Sequence, residues 1–395
     1  KLIDLKIDYF LKTFNKYSDS DTIANNLATN YTEIKSQLEA DEAIFDYFFY
    51  KNILFTFVLT KNNFEVNAVD VPNDLKIQIR DIKRDLKAGN QLNNSKLLKM
   101  SRLLFGNSTP VLNSVKHLII IPDGDLWEIP FEILPQTNGD GLIIDKNSIS
   151  YVYSSFQINR ENKNARGNSI LIVAPGFKTK KAIDFATTES ERGVLNFKEV
   201  INGEKILPPI PFTIVEGQAI ETLFKKNKIP CLGLYENKAT KEAFVNNFNQ
   251  YDIVHIATHG VSDIENYWQS GLFFTKTNKD NIKTNGFLML GELYTEKTNA
   301  KLVVLSACKS GNGQLLSGEG VMALPRGFIA SGVPNVIASL WSVNDERTKD
   351  LMVAFYKHLL EEKVNYTEAL RLAKLDCIKN GFLPIDWAGF VFIGS

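Results

Sequence analysis

Apolar positions at Ile23, Leu27, Ile34 and Leu38 recur among polar residues at close to the 3.6-residue helical period. Residues 1–41 are read as a short helical segment, too short to be stable without packing from elsewhere. The period then changes. AIFDYFFY, ILFTFVLT and FEVNAVDV concentrate aromatic and β-branched residues in runs broken at Lys51-Asn52 and Lys61-Asn62-Asn63. That pattern predicts an antiparallel meander. Two helices follow, one between Pro72 and Gly89 and one over about 95–105. Strand HLIII at 117–121 then enters the turn Pro122-Asp123-Gly124-Asp125, and further short strands extend to about Phe156.

From residue 168 the pattern alternates. The short apolar runs SILIVA, CLGLY, DIVHIAT, LVVLSA, NVIASLW and AGFVFIG read as strands. Amphipathic stretches at 216–226, 240–248, 320–330, 346–360 and 367–379 read as helices. This implies an α/β fold with a mostly parallel sheet covered on both faces. In such sheets chemistry sits at the carboxyl ends of the strands. Two long connections, 176–211 and 261–292, leave near that edge. They fit surface insertions and substrate-binding loops or cleavable linkers equally well.

Composition narrows the function classes. Among 395 residues, 45 basic side chains balance 45 acidic ones, so no long-range field attracts nucleic acid or an anionic membrane. No apolar run approaches the ~20 residues of a membrane span, and no signal peptide is visible. The three cysteines, Cys231, Cys308 and Cys377, are no disulfide framework and fit a reducing, cytoplasmic setting. The four histidines form no zinc motif with them. The glycine-rich GNG and GEG lack the Lys-Ser/Thr of a phosphate loop. No metal or organic cofactor is expected. The chain opens on Lys1, which suggests the C-terminal part of a longer protein.

Two strands end in reactive residues. DIVHIAT runs into His259-Gly260, and LVVLSA runs into Cys308. If these strands are neighbours, an imidazole and a thiol meet over the carboxyl edge, where the imidazole can form or stabilise a thiolate. The N–H groups of Gly260 and Cys308 would then supply an oxyanion hole. Cysteines near strands are commonly core residues, the expected role of Cys231 and Cys377. The polar KSGNG after Cys308 argues against burial there.

The strings HIATHG, LVVLSACKSGNG and GEGVMALPRGFIASGVPNVIASLWSVND, with HLIIIPDGDLWEIPFEIL, SISYVYS and WAGFVFIG around them, resemble the CHAT domain over about residues 42–395. This is a caspase-like peptidase domain associated with tetratricopeptide repeats, in the group of caspases, legumains, gingipains and separase. The resemblance implies a caspase-like three-layer sandwich. A degenerate front half (42–160) would pack on an active rear half (161–395), behind the short N-terminal helices. It implies a cysteine endopeptidase with His259 as base and Cys308 as nucleophile, since only His259 directly precedes glycine; His255 is given a structural role. It further implies a protein substrate, control by an upstream repeat or sensor region or a regulatory protein, and service in bacterial (antiviral) defence or cell death. A catalytically silent scaffold of the same fold is the alternative.

In a caspase-like fold the end of NVIASLW lines the pocket for the side chain before the scissile bond. Trp341, Ser342 and Asp345 are therefore candidate substrate contacts, with Ser306 adding a hydrogen bond. A pocket carboxylate at Asp345 would select Arg or Lys. Equally, Asp345 or Asn344 suits the N-cap of the following helix.

Overall fold

A computed structural model describes residues 34–158, 167–177, 207, 209–261, 270–276, 286–306, 323–341 and 343–394. Of the expected N-terminal helical segment, one turn at 34–37 is described, and its Ile34 and the following Leu38 are buried. Residues 1–33 lie outside the described residues.

Strands β1 (Glu42–Tyr50), β2 (Ile53–Thr60) and β3 (Phe64–Asp70) form the expected meander. Tyr50 pairs with Ile53, so Lys51-Asn52 is a two-residue turn. Lys51 has φ 55°, the left-handed geometry that matches a hairpin's twist. β1 also pairs in parallel with β4 (His117–Ile121), and β4 with β5 (Ser148–Tyr151). The connection from β3 to β4 holds α1 (Leu75–Lys87), α2 (Asn94–Phe105) and α3 (Thr109–Ser114). Helix α1 buries Leu75, Ile79, Ile82 and Leu86, one apolar stripe. Side chains alternate along the strands between two cores. Phe45, Tyr47, Leu118 and Ile120 join those helices, while Ile44, Ile119 and Ile121 meet Ile34 and Leu38 on the other face.

The rear half supplies β6 (Ile170–Ala174), β7 (Cys231–Tyr235), β8 (Ile253–Ile256), β12 (Leu302–Leu305), β13 (Val336–Ser339) and β14 (Phe390–Ile393). Both halves share one eleven-stranded sheet in the order β3-β2-β1-β4-β5-β14-β13-β12-β8-β6-β7. β14 is antiparallel to β13 but parallel to β5. The front strands β1, β4 and β5 therefore run opposite to β6, β7, β8, β12 and β13, and the carboxyl edges of these two parallel sets lie on opposite sides of the molecule.

Helix α4 (Pro211–Lys226) joins β6 to β7, and α5 (Lys241–Phe248) carries the chain back past β6 to β8. This reversal, with right-handed crossovers, puts α4 and α5 on opposite faces of the sheet. α7 (Ala323–Ala330), between β12 and β13, shares the α5 face, where Phe248 meets Phe328 edge to face. α8 (Asp345–Lys357) packs beside α4 and against α9 (Tyr366–Lys379).

The structure departs from the sequence reading in four places. Between β4 and Phe156, where several short strands were expected, the described residues form one strand, β5, with 3-10 turns at Gly124–Glu128, Phe131–Ile133, Ile143–Asp145 and Ser155–Gln157. α4 begins at Pro211 rather than Glu216, its proline at a first-turn position where no N–H is missed. α8 ends at Lys357 and continues as a π-turn, His358–Glu362. The connection 261–292 holds β9 (Gly260–Val261), β10 (Gly271–Phe273) and β11 (Phe287–Met289), a small antiparallel sheet followed by α6 (Leu290–Leu293). Those strands are two or three residues long, too short to show a period. Among the described residues no helix is long and apolar enough to cross a membrane.

The halves meet at a buried polar cluster. Lys374 Nζ lies 2.6 Å from Glu132 Oε1, with side chains 2% and 4% exposed. Tyr151 donates its hydroxyl hydrogen to Glu132 Oε2 at 2.6 Å and accepts from the Phe131 N–H. Burial first, then the Glu132 carboxylate, push the Tyr151 phenol well above its ordinary pKa. Arg371 adds bonds to the Ile144 and Asp145 carbonyls. Removing one partner of such a pair strands a charge in the core. Lys374→Met should thus cost about 3–5 kcal/mol, and Lys374→Met with Glu132→Gln should recover much of that loss. Denaturant unfolding of the three chains checks this; a double variant no more stable than the single one contradicts it.

Candidate active site

The site grows from the pairing of β8 with β12. They are adjacent and parallel, with Ile256 opposite Leu305. His259 follows Ile256 by three residues, and Cys308 follows Leu305 by three. The condition set by the sequence, that these strands be neighbours, is met. Cys308 itself lies outside the described residues; its strand is described to Ser306.

Beyond β8 the chain leaves the main sheet in a defined way. The Ala257 N–H still donates to Val173 of β6. The Thr258 hydroxyl then donates to the Phe273 carbonyl at 2.5 Å, and the Phe273 N–H donates to the His259 carbonyl at 3.0 Å. His259 is thereby held where the main sheet hands over to the small one, and it is 5% exposed. The ring of Phe177 lies against its imidazole, centroids 5.2 Å apart and planes at 38°.

Gly260 stands opposite Leu272. Antiparallel pairs alternate between hydrogen-bonded and open. The His259–Phe273 pair is bonded, so Gly260–Leu272 is an open pair. The Gly260 N–H therefore points away from β10, toward the edge of β9 that pairs with no described strand.

The other candidates separate clearly. His255 is fully buried, its Nε2 2.7 Å from Glu216 Oε1 and its Nδ1 3.2 Å from the Tyr356 hydroxyl. It ties β8 to α4 and α8, and its role is structural. His117 sits between the Ser148 and Ser150 hydroxyls, and His358 between Glu362 and Asp376. Cys377 is buried, and burial with the nearby Asp350, Asp376 and Asp386 pushes its thiol up to about 12. Burial, then Glu221, also raises Cys231. Neither supplies a thiolate at neutral pH.

Of the expected pocket residues, Ser306 is 6% exposed and its hydroxyl has no hydrogen-bond partner among the described residues. Trp341 is 2% exposed, donates its indole N–H to the Ile385 carbonyl and packs flush on Gly389, where a Cβ would lie 2.9 Å from the ring. Its ring is used inside the fold, beneath α10 (Pro384–Trp387). Ser342 lies outside the described residues. Asn344 is the N-cap of α8, accepting from the Glu346 and Arg347 N–H groups. Asp345 is the first helical residue, and its Oδ2 accepts from the Phe212 N–H in the first turn of α4 at 3.0 Å. There it meets the positive end of that helix. Sequence spacing had no means of showing this bond across 133 positions, nor the Phe177 contact. The only local hint of the latter is the turn Pro175-Gly176 at the end of β6.

Asn344→Ala and Asp345→Ala should each lose about 1 kcal/mol of stability, the usual worth of a helix-terminus acceptor. Asp345→Ala should leave any ratio of basic to apolar substrate cleavage unchanged. A selective loss on Arg and Lys substrates would instead place this carboxylate against the substrate.

The comparisons agree with this architecture. Human tetratricopeptide repeat protein 28 is 22% identical over 321 residues, 71% of this chain. The mouse protein of that name is 23% identical over 320 residues, again 71%. The chain spans 12% of the length of each. Among solved structures, the Saccharomyces cerevisiae separase–securin complex at 3.0 Å superposes with TM-score 0.61 at 10% identity. That match covers 95% of this chain and 31% of the other. The 2.6 Å form gives 0.56 at 9% identity, covering 94% and 31%. At such identity the likeness shows the fold alone, a caspase-like α/β sandwich. The family model described as CHAT domain matches residues 95–395, starting inside the front half and running to the last residue, and the chain belongs to the CHAT domain family.

Proposed function

We propose that this chain is a cysteine endopeptidase that works through an acyl-enzyme on Cys308. The observation that carries this reading is the in-register adjacency of β8 and β12, the strands whose last residues, Ile256 and Leu305, each stand three positions before His259 and Cys308 in the sequence. His259 takes the thiol proton, and the thiolate attacks the scissile carbonyl. The Gly260 N–H, turned away from β10, and the Cys308 N–H stabilise the oxyanion. Collapse expels the amine, which receives its proton from His259, and leaves a thioester. Water, deprotonated by His259, then releases the acid and restores the thiol. The buried Ser306 hydroxyl, without a partner among the described residues, is the polar group we place against the substrate.

The curated relatives carry tetratricopeptide repeats in their name and are far longer than this chain. We therefore propose that an upstream repeat or sensor region controls the peptidase, as in a defence or cell-death response. In other enzymes loops beside the site are commonly ordered by a partner before the pocket forms. The isolated chain should then cleave weakly.

Cys308→Ala and His259→Ala should each lower peptide cleavage by about 10³-fold or more. The double variant should lose little further, because the pair acts as a unit. Cys231→Ala and Cys377→Ala should retain activity. A fluorogenic peptide library, read with and without the upstream region, checks this. Turnover that survives Cys308→Ala removes the proposed chemistry. Absence of turnover under every condition would favour a silent scaffold.

A further inference from the structure

Beside His259, the chain holds an aromatic residue in a backbone conformation that such residues avoid. Five described non-glycine residues have positive φ. Four are Lys51, Lys228, Glu236 and Lys363; the fifth is Phe177, at 49°. For a bulky side chain this conformation is strained, and strain of this kind persists where the surroundings enforce it. The enforcing contacts are visible. Gly176, also left-handed at φ 68°, lies so close to Ile214 that a Cβ would sit 2.4 Å from its Cδ1. The Gly176 carbonyl accepts from the Ile210 N–H at 3.0 Å. The turn after β6 is thus clamped onto the start of α4. That clamp swings the Phe177 ring over the imidazole, within the 4.5–7 Å range of aromatic pairs. The same ring joins an apolar cluster with Leu207, Val261, Phe273, Phe287 and Met289.

We infer that Phe177 is a positioning residue for the reaction. Its ring fixes the plane of the His259 imidazole and favours the imidazolium that pairs with the Cys308 thiolate. This rests on the dyad reading above. Two effects of the ring act in the same direction. A face closed by an aromatic ring removes rotational freedom from the imidazole, and misplacement by an ångström is enough to lower a rate about 10²-fold. An aromatic ring within about 6 Å of a cation also stabilises it. Loss of the ring therefore weakens the ion pair, and the thiol needs a higher pH to become reactive.

The test is the rate of iodoacetamide alkylation at Cys308 in the full chain as a function of pH. It is read by peptide mass spectrometry with Cys231 and Cys377 as internal references. Wild type is compared with His259→Ala, Phe177→Tyr, Phe177→Leu and Phe177→Ala. All three Phe177 variants keep a Cβ at the positive φ, so the backbone strain is similar, and thermal unfolding monitors the fold. Phe177→Tyr should follow wild type. Phe177→Leu, which keeps apolar bulk, and Phe177→Ala should move the midpoint up by about half to one pH unit. They should also slow alkylation at neutral pH roughly three- to tenfold, and His259→Ala should shift the profile further. If His259→Ala shifts the profile while Phe177→Leu and Phe177→Ala do not, this inference is overturned and the dyad stands. If His259→Ala produces no shift, both fall.

Discussion

Everything proposed for the carboxyl edge depends on the parallel pairing of β8 with β12 in the register Ile256–Leu305. A slip of one residue would turn every β12 side chain to the opposite face and move its end by about 3.3 Å. Burial of apolar side chains does not by itself exclude that slip, because both faces of these strands are apolar. Leu302, Val303, Val304 and Leu305 are all fully buried, as are Ile253, Val254 and Ile256. A strand enclosed on both faces has no solvent side to offer a polar residue. His255 is the exception, and it is accommodated because Glu216 and Tyr356 engage both ring nitrogens. A buried histidine with two defined partners discriminates against other registers in a way that valine does not.

Support for this pairing runs outward through packed elements. Glu216 belongs to α4, whose first turn is held by Asp345 of α8. α8 packs on α9, and α9 carries Lys374 and Arg371 to the front half. Between the halves, β5 and β14 share one paired position, Ile393–Tyr151, and a bond from the Gly394 N–H to the Tyr151 carbonyl. So short a ladder specifies little by itself. The Lys374–Glu132 pair adds a directional contact at the joint. Buried pairs contribute modestly to net stability, and their better-attested use is to specify one arrangement. The carboxyl edge of the front strands β1, β4 and β5 faces the opposite side of the molecule.

Much of this was legible in the sequence. The meander at 42–70, the six rear strands and most helices follow from period and composition, because strands buried on both faces read as continuous apolar runs. His259 and Cys308 stood out because each lies just beyond such a run. Other features were hidden for physical reasons. β9, β10 and β11 are too short to carry a period. Trp341 looked available at a strand end, but Gly389, distant in sequence, provides the flat surface on which the indole packs. Asp345 satisfied two local patterns at once, and the structure uses it for a third purpose, the amide of a neighbouring helix. Phe177 is marked in the sequence by no more than the Pro175-Gly176 turn before it, since its contact with His259 comes from a positive-φ turn and a long-range approach of two rings.

The central claim is that His259 makes Cys308 a nucleophile. The most direct measurement is covalent capture: incubation with a peptidyl acyloxymethyl ketone, which needs an activated thiolate, followed by mass spectrometry of the labelled peptides. The account predicts one adduct, on the peptide containing Cys308, that disappears in His259→Ala. Labelling that is spread over Cys231 and Cys377, or that persists at Cys308 without His259, would contradict it.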